Sequence, residues 1–170
     1  MKPRWILGWT SLGLAACLLP GLTRHPVQLV FNPSDSAPRG WYRVEAVDQL
    51  HHGDTVLVWL PARVQAFAAQ RGYLPDGIPL LKRIAALPPQ RVCIRGLIVF
   101  VDGQAVATAL AHDSRHRSLP TWSGCRALAA GEVFLLSDSH PASYDSRYWG
   151  PINASSVIGR ARPLRTWERP

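Results

Sequence analysis

The sequence predicts a mostly β protein, in which coiled antiparallel sheets carry one short helix and follow an N-terminal hydrophobic helix. Three observations favour this class. The 170 residues include 13 glycines and 15 prolines, and so many chain breakers disfavour a helical bundle. Apolar residues make up 47% of the chain and occur mostly in short runs. No repeat is present, so residues 25–170 are predicted to form one domain behind a terminal segment at 1–24.

The first predicted element is the apolar segment Trp5–Leu22, 18 residues without a charge, which follows Lys2 and Arg4. As a helix it would span ~27 Å, close to the ~30 Å hydrocarbon core of a bilayer. It is an uncleaved anchor, a cleaved signal peptide or, from the tetrapeptide ending at Cys17, a lipoprotein signal. The positive charges stay in the cytoplasm, so all three interpretations export the rest of the chain.

Seven short apolar runs are predicted to be strands, because they are rich in residues that favour β structure. They are Val27–Phe31, Trp41–Val44, Thr55–Leu60, Arg91–Ile94, Leu97–Val101, Val133–Leu136 and Val157–Ala161.

Other elements have local signals. Asp102-Gly103 lies between two apolar runs and predicts a type I′ hairpin turn. Ala62–Gln70 predicts the one helix, which begins after a proline and ends at Gly72. The polar segment Ala107–Ala129 is predicted to be a long loop.

The net charge of +8 comes from 17 arginines and only two lysines. The arginines are scattered, without a basic run, so a nucleic-acid partner is not predicted. Lys82 is the only lysine after residue 4. Lysine differs from arginine in that burial can make it give up its proton near neutral pH. This position is therefore a candidate for proton transfer.

The three cysteines are too few for a disulfide scaffold, and none has zinc-site spacing. No metal or cofactor is predicted. Because the domain is exported to an oxidising compartment, Cys93 and Cys125 are predicted to form a disulfide.

The first of three candidate segments for chemistry is residues 32–40, Asn-Pro-Ser-Asp-Ser-Ala-Pro-Arg-Gly. Ser34 and Ser36 are one residue apart in an extended stretch. A backbone N–H and a neighbouring hydroxyl can converge there on an oxyanion. The alternative is an ordinary polar turn, because these residue types are common in turns, and on this segment alone it is the favoured interpretation.

The second segment, residues 80–88, places Lys82 among leucines and isoleucine. Desolvation would lower the pKa of this amine, and a neutral lysine can act as the base for a serine hydroxyl. The alternative is a lysine whose ammonium extends from a strand edge to solvent.

The third segment, residues 143–151, supplies supporting groups. Ser143 could hydrogen-bond the lysine amine and orient it. Asp145 and Arg147 could form a charge-assisted pair. The alternative is a purely structural bridge under the aromatic residues Tyr144, Tyr148 and Trp149.

In this order, the motifs Ser-x-Ser-x-Pro, Lys-Arg-Ile-x-x-x-Pro and Ser-x-Asp-Ser-Arg-x-x-Gly resemble the Ser–Lys peptidases of the type I signal peptidase group. The similarity is greatest to its short branch of TraF-type conjugative transfer peptidases, over residues 27–167. The resemblance implies a signal-peptidase type of β fold, with Ser36 as nucleophile and Lys82 as general base. It further implies an oxyanion hole from Ser34 and Ser36, with Ser143 orienting the lysine.

Two departures from the family pattern limit what is carried over. The family's Gly-Asp-Asn-Arg is replaced here by residues 137–140, Ser-Asp-Ser-His, so Asp138 and His140 receive no role. The box after the lysine, usually Gly-x-Pro-Gly-Asp, reads Ala-Leu-Pro-Pro-Gln at 86–90.

The resemblance implies processing, or even cyclisation, of a secreted propilin for conjugative plasmid transfer. The partners would be that precursor or another exported polypeptide, the inner membrane and a conjugative secretion apparatus. The location would be the periplasmic side of the bacterial inner membrane. The alternatives are a general type I signal peptidase, a Ser–His–Asp hydrolase using His140, and a non-enzymatic, membrane-anchored assembly factor.

Overall fold

The computed structural model describes residues 28–137 and 140–167, and within these ranges eleven strands form two antiparallel sheets. The strands are β1 Gln28–Asn32, β2 Arg39–Glu45, β3 Thr55–Val58, β4 Leu80–Ala86, β5 Arg91–Arg95, β6 Ile98–Val101, β7 Gln104–Thr108, β8 Cys125–Ala127, β9 Glu132–Leu136, β10 Ile152–Asn153 and β11 Val157–Trp167. The helices are α1 Ala62–Arg71 and α2 Ser146–Trp149. The predicted terminal segment at 1–24 lies outside the described residues, as does Asp138. In the described ranges no helix is long and apolar enough to cross a membrane.

The larger sheet has the strand order β1-β2-β11-β3-β4-β9-β10, and the smaller has the order β7-β6-β5-β8. In β2, the alternation of the sequence places Tyr42 and Val44 in the core and Trp41 and Arg43 outside. Strand β3 is central, so its Val56, Leu57 and Val58 are all buried. This burial on both faces matches the unbroken apolar run in its sequence.

Helix α1 confirms the predicted helix to within one residue. It follows Pro61 and ends at Gly72, whose φ of 72° is left-handed. The N–H groups of Gly72 and Tyr73 donate to carbonyls of the last turn, at 3.0 and 2.9 Å. The hairpin prediction is confirmed too, because Asp102 and Gly103 both have positive φ, at 49° and 84°.

The predicted disulfide is present in this structure between Cys93 and Cys125, which are directly paired across β5 and β8. It fastens the end of the segment that follows β7 to the smaller sheet. We call residues 109–124, between β7 and β8, the strap.

The structure corrects two expectations and adds one strand that the sequence did not predict. There are two helices in the described ranges rather than one, because Asp145 caps the single turn α2, which is too short for a periodic apolar pattern. Residues 80–86 form a strand, although Lys82 and Arg83 interrupt the apolar run. The predicted loop at 107–129 begins within β7 and contains β8. Both are short strands whose exposed residues give little apolar signal.

Candidate active site

A cavity of about 400 Å³ brings the three candidate segments together. Ser34 and Ser36 reach it from the turn between β1 and β2, Lys82 from the middle of β4, and Ser143 from the connection before α2. Sequence positions more than 100 residues apart thus meet at one site. Asp145 and Arg147 do not line the cavity but lie buried behind it.

The turn that carries the two serines is organised by Asn32, which the sequence analysis did not single out. Its buried amide Nδ2 donates to the carbonyls of Ser34 and Ala37, each at 3.0 Å. Its Oδ1 accepts from the Ser34 N–H at 3.2 Å. The turn ends at Gly40, where an added Cβ would lie 2.1 Å from the carbonyl oxygen of Arg165. Only glycine fits this close approach of β2 to β11.

The two serine hydroxyls form a directed chain. Ser34 Oγ lies 2.9 Å from Asn32 Oδ1, which can only accept, and 2.8 Å from Ser36 Oγ. Ser34 therefore gives its single proton to Asn32, and Ser36 donates to Ser34. In this resting arrangement the Ser34 proton is directed away from the cavity.

Lys82 is buried, with 2% of its surface exposed, and its Nζ donates to Ser143 Oγ. Burial lowers the pKa of Lys82 to about 8, while the Asp145 carboxylate opposes this shift and Arg147 adds to it. The expected direction and cause are confirmed. One expected neighbour differs, since Leu81 points to the opposite face of β4 and packs with Tyr42 and Leu57.

No hydrogen bond joins Ser36 and Lys82, two residues that the structure describes; each is bonded to another serine hydroxyl. They share the cavity, and a substrate carbonyl would enter the space that they line. Catalytic hydrogen bonds are often long before substrate is bound, so this geometry is compatible with a proton transfer between them.

Asp145 and Arg147 form a buried ion pair with two parallel contacts of 2.7 Å. The remaining donors of Arg147 hold the carbonyls of Ser143 at 3.0 Å, Pro141 at 2.6 Å and Thr108 at 3.0 Å. Because every polar group of the pair is satisfied, the charges can be tolerated in the core. The pair thereby fixes the backbone that presents Ser143 to the lysine.

The cavity walls are largely apolar and aromatic. The strap contributes Leu110 and Leu119, and residues of α1 and β4 line the same space. Three tyrosines also line it: Tyr73, Tyr144 and Tyr148. Burial raises the pKa of Tyr144 to about 12, so this phenol stays neutral. Such walls suit an extended peptide with apolar side chains.

The strap is fastened to the end of α1 through Asp113. This carboxylate accepts hydrogen bonds from the Tyr73 hydroxyl at 2.6 Å and from Arg117 Nε at 2.7 Å. Arg117 also donates to the carbonyl of Arg71 at 3.0 Å. The sequence analysis assigned nothing to these residues, because the contacts join segments about 40 residues apart.

Among the histidines of the described ranges, His140 lines the cavity. A Ser–His–Asp arrangement would need a carboxylate to orient it. Asp145 is committed to Arg147 and to the N–H of Ser137, and Asp138 lies outside the described residues. The buried amine that lines this cavity is that of Lys82.

Comparisons with known proteins show what the chain is similar to. Residues 4–167 match the family described as signal peptidase, peptidase S26. The chain is 39% identical over 171 residues to the conjugal transfer protein TraF of Agrobacterium fabrum, covering 92% of this chain and 94% of that protein. It is 30% identical to the plasmid transfer protein TraF of Escherichia coli, over 94% of this chain and 95% of that one. A signal peptidase I of Leptolyngbya laminosa is 31% identical, over 94% of this chain and 78% of the relative.

Proposed function

Because the chain belongs to the peptidase S26 family of signal peptidases, we propose that it is a serine endopeptidase and acyl transferase with a Ser36–Lys82 dyad that processes an exported propilin in conjugative transfer. Membership of this family implies a serine peptidase. The observation that carries the proposal is the cavity that Ser36 and the buried Lys82 share. The relatives named for conjugal and plasmid transfer support the role in conjugation.

The first half of the reaction is acylation of Ser36. Neutral Lys82 accepts the hydroxyl proton while Ser36 Oγ bonds to the peptide carbonyl carbon, which becomes tetrahedral. The C–N bond then breaks, and the ammonium of Lys82 returns a proton to the departing amine. With its pKa near 8, the amine is partly neutral at working pH and its conjugate acid is still a proton donor.

The oxyanion is stabilised by the Ser36 N–H and the Ser34 hydroxyl. Since Ser34 donates to Asn32 in the resting arrangement, its proton must turn toward the substrate as negative charge develops. A donor used in this way favours the transition state over the ground state.

The second half of the reaction releases the acyl group to a nucleophile. Water gives a hydrolysed pilin, and the amine of the pilin's own N-terminus gives a circular one. In both cases Lys82 takes the proton of the attacking group as that group bonds to the acyl carbon. The bond between this carbon and Ser36 Oγ then breaks, and Lys82 returns the proton to Ser36. The product therefore depends on which nucleophile reaches the acyl-enzyme in the cavity.

The proposed location is the periplasmic surface of the inner membrane, with residues 1–24 as anchor or signal segment and residues 25–170 as the exported domain. The partners are the exported precursor, the membrane and the conjugative secretion apparatus. The outer face of β1, β2 and β11 supports a membrane contact, because Phe31, Trp41 and Trp167 form an exposed cluster with ring centroids 5.1 and 6.0 Å apart. We call these three residues the aromatic patch. Aromatic rings of this kind are enriched at membrane interfaces.

A general signal peptidase is the second candidate, favoured by the similarity to the Leptolyngbya laminosa enzyme. Expression in a strain depleted of its housekeeping signal peptidase separates the two. Failure to restore growth is expected of the dedicated conjugation peptidase, and rescue would favour the general enzyme.

The direct test is Ser36→Ala, with Ser155→Ala as matched control on an exposed turn. The first variant is expected to fold and be exported yet leave the propilin unprocessed, because loss of a nucleophile costs several orders of magnitude in rate. Mass spectrometry of the pilin reads the outcome, and a mature product lighter by one water is circular. Normal processing and plasmid transfer by Ser36→Ala would favour the non-enzymatic assembly factor.

A further inference from the structure

Ser137 connects the turn that carries the nucleophile to the buried ion pair. It directly follows β9, where the signal peptidase pattern has glycine, and it is only 8% exposed. Its Oγ donates to the carbonyl of Ser36 at 2.7 Å, across 101 sequence positions. Its backbone N–H donates to Asp145 Oδ2 at 2.9 Å. A glycine could make the second of these bonds but not the first.

We propose that Ser137 is a positioning residue that sets the orientation of the nucleophile Ser36, an inference that rests on the proposed function. The carbonyl of Ser36 belongs to the peptide unit next to its side chain, so fixing this carbonyl restricts the backbone angles that aim Oγ. Asn32 holds the following carbonyl, that of Ala37, from the other side of the turn. Two consecutive carbonyls, those of Ser36 and Ala37, are thereby each held by a buried polar side chain, which is the condition for a preorganised site.

The same ion pair also controls the lysine. Asp145 holds the N–H of Ser137, and Arg147 Nη2 holds the carbonyl of Ser143, whose hydroxyl accepts from Lys82. The ion pair of Asp145 and Arg147 therefore positions both residues of the dyad. It acts on the nucleophile through Ser137 and on the base through Ser143. Because a buried, fully hydrogen-bonded pair deforms little, it maintains the separation between Ser36 and Lys82.

The contact through Ser137 and the contact through Ser143 should affect activity differently, and this difference distinguishes a positioning role. Loss of the Ser137 hydroxyl leaves Lys82, its bond to Ser143 and its burial unchanged. The pH at which activity reaches half its maximum should then stay in place while the maximum falls. A general loosening of the site would instead alter the environment of Lys82 and move that midpoint.

The experiment compares Ser137→Ala and Ser137→Thr in the full-length protein, in detergent, on a propilin-derived peptide. Ser137→Ala is expected to lower kcat about 10- to 100-fold, since small misplacements of reacting groups have effects of this size. KM and the pH midpoint should remain within twofold and about 0.3 pH units of wild type, within ordinary measurement scatter. Ser137→Thr keeps the donor and should retain most of the turnover.

The control for losing a buried hydroxyl is Ser146→Ala. Ser146 is buried as well, and its Oγ accepts from the Leu135 N–H, without a bond to the nucleophile turn. It should lower Tm while leaving kcat per folded molecule unchanged. Thermal unfolding of every variant separates loss of fold from loss of turnover. If Ser137→Ala does not fold, the kcat of Ser137→Thr tests the inference.

Wild-type turnover by folded Ser137→Ala would overturn the inference, as would a folded Ser137→Thr that is as slow as the alanine variant. A shifted pH midpoint in Ser137→Ala would also overturn it, because the effect would then act through Lys82. The proposed function fails separately, if Ser36→Ala processes the peptide as fast as wild type.

Discussion

Lys82 makes a pH-dependent contribution to the proposed reaction. Only the neutral amine can accept the Ser36 proton, and burial lowers its pKa to about 8. Peptide cleavage should therefore rise with pH through about 8 and then level off. Lys82→Arg should keep the positive charge and lose activity by several orders of magnitude, because arginine does not deprotonate.

A pH–rate profile of wild type and the arginine variant measures this directly. Arg83→Lys is the matched control, since the neighbouring residue is exposed on β4. Substantial activity in Lys82→Arg, or a profile that is flat from about two pH units below the lowered pKa to about one unit above it, would remove the lysine from the role of base.

The same residue should limit the stability of the fold. The folded-state pKa of about 8 lies below the value of 10.5 for a free lysine, so the unfolded chain binds more protons between these values. Stability therefore rises with pH across that window. Burial of the protonated amine lowers the free energy of unfolding, and this loss is fully present below pH 8. It corresponds to roughly 3 kcal/mol at 1.36 kcal/mol per pKa unit.

Lys82→Met has a similar volume and no charge, so it should abolish activity and raise the free energy of unfolding near pH 7 by up to about 3 kcal/mol. The gain should shrink as the pH approaches 10.5. Urea unfolding at pH 7 and pH 10 measures both quantities. A variant less stable than wild type at pH 7 would mean that the lysine is a net stabilising group.

At the residue scale, the sequence singled out side chains that the fold brings together. Ser36, Lys82 and Ser143 all line the cavity, as their segments indicated. Asn32 and Ser137 were not identified, because their importance lies in which carbonyls they hold. A local sequence pattern does not show whether a polar side chain contacts a residue 101 positions away, as Ser137 does.

At the scale of elements, the strap is the part of the site that local patterns describe least well. Its residues are polar and turn-rich, yet it forms one wall of the cavity because Asp113 binds the hydroxyl of Tyr73 and Arg117 binds the carbonyl of Arg71. The pKa of Asp113 is lowered: burial acts in the opposite direction, but hydrogen bonds from Tyr73 and Arg117 outweigh it. The carboxylate therefore stays ionised at all pH values at which the enzyme would work.

Asp113→Ala should release the strap and with it Leu110 and Leu119. We expect KM for the peptide to rise about tenfold, the size of effect typical of a lost apolar contact surface, with kcat and the pH midpoint nearly unchanged. Steady-state kinetics measures the split. Asp76→Ala, at an exposed position of a neighbouring loop, is the control. A fall in kcat at constant KM would place the strap in the chemical step instead.

Other elements show where local signals suffice. The hairpin at Asp102-Gly103 and helix α1 follow from residues next to each other in the chain, and both formed where expected. Strand β4 was not predicted as a strand because the catalytic candidate interrupts its pattern. A charged candidate residue in the core breaks the apolar pattern of a buried strand, so the pattern alone does not predict the strand.

At the scale of the whole molecule, the aromatic patch and the charge distribution give the domain an oriented surface. Phe31, Trp41 and Trp167 are each between 42% and 47% exposed, and Arg43 and Arg162 are paired in register beside them. Strand β1 also leads directly into the turn that carries Ser36. If this face contacts the membrane surface, the cavity lies close to the bilayer and the arginines lie near anionic headgroups.

Replacing Phe31, Trp41 and Trp167 together by serine should therefore affect membrane-presented substrate alone. In vesicles containing anionic lipid, cleavage of a propilin with its own apolar segment should fall several-fold, because the bilayer no longer orients the cavity. A soluble peptide should be cleaved at the wild-type rate, since the patch does not line the cavity. Ile98→Ser/Val106→Ser is the control, because these side chains are equally exposed, at 43% and 46%, on the smaller sheet. If the triple variant cleaves both substrates as wild type does, or loses both equally, the patch has no part in presenting the site to the membrane.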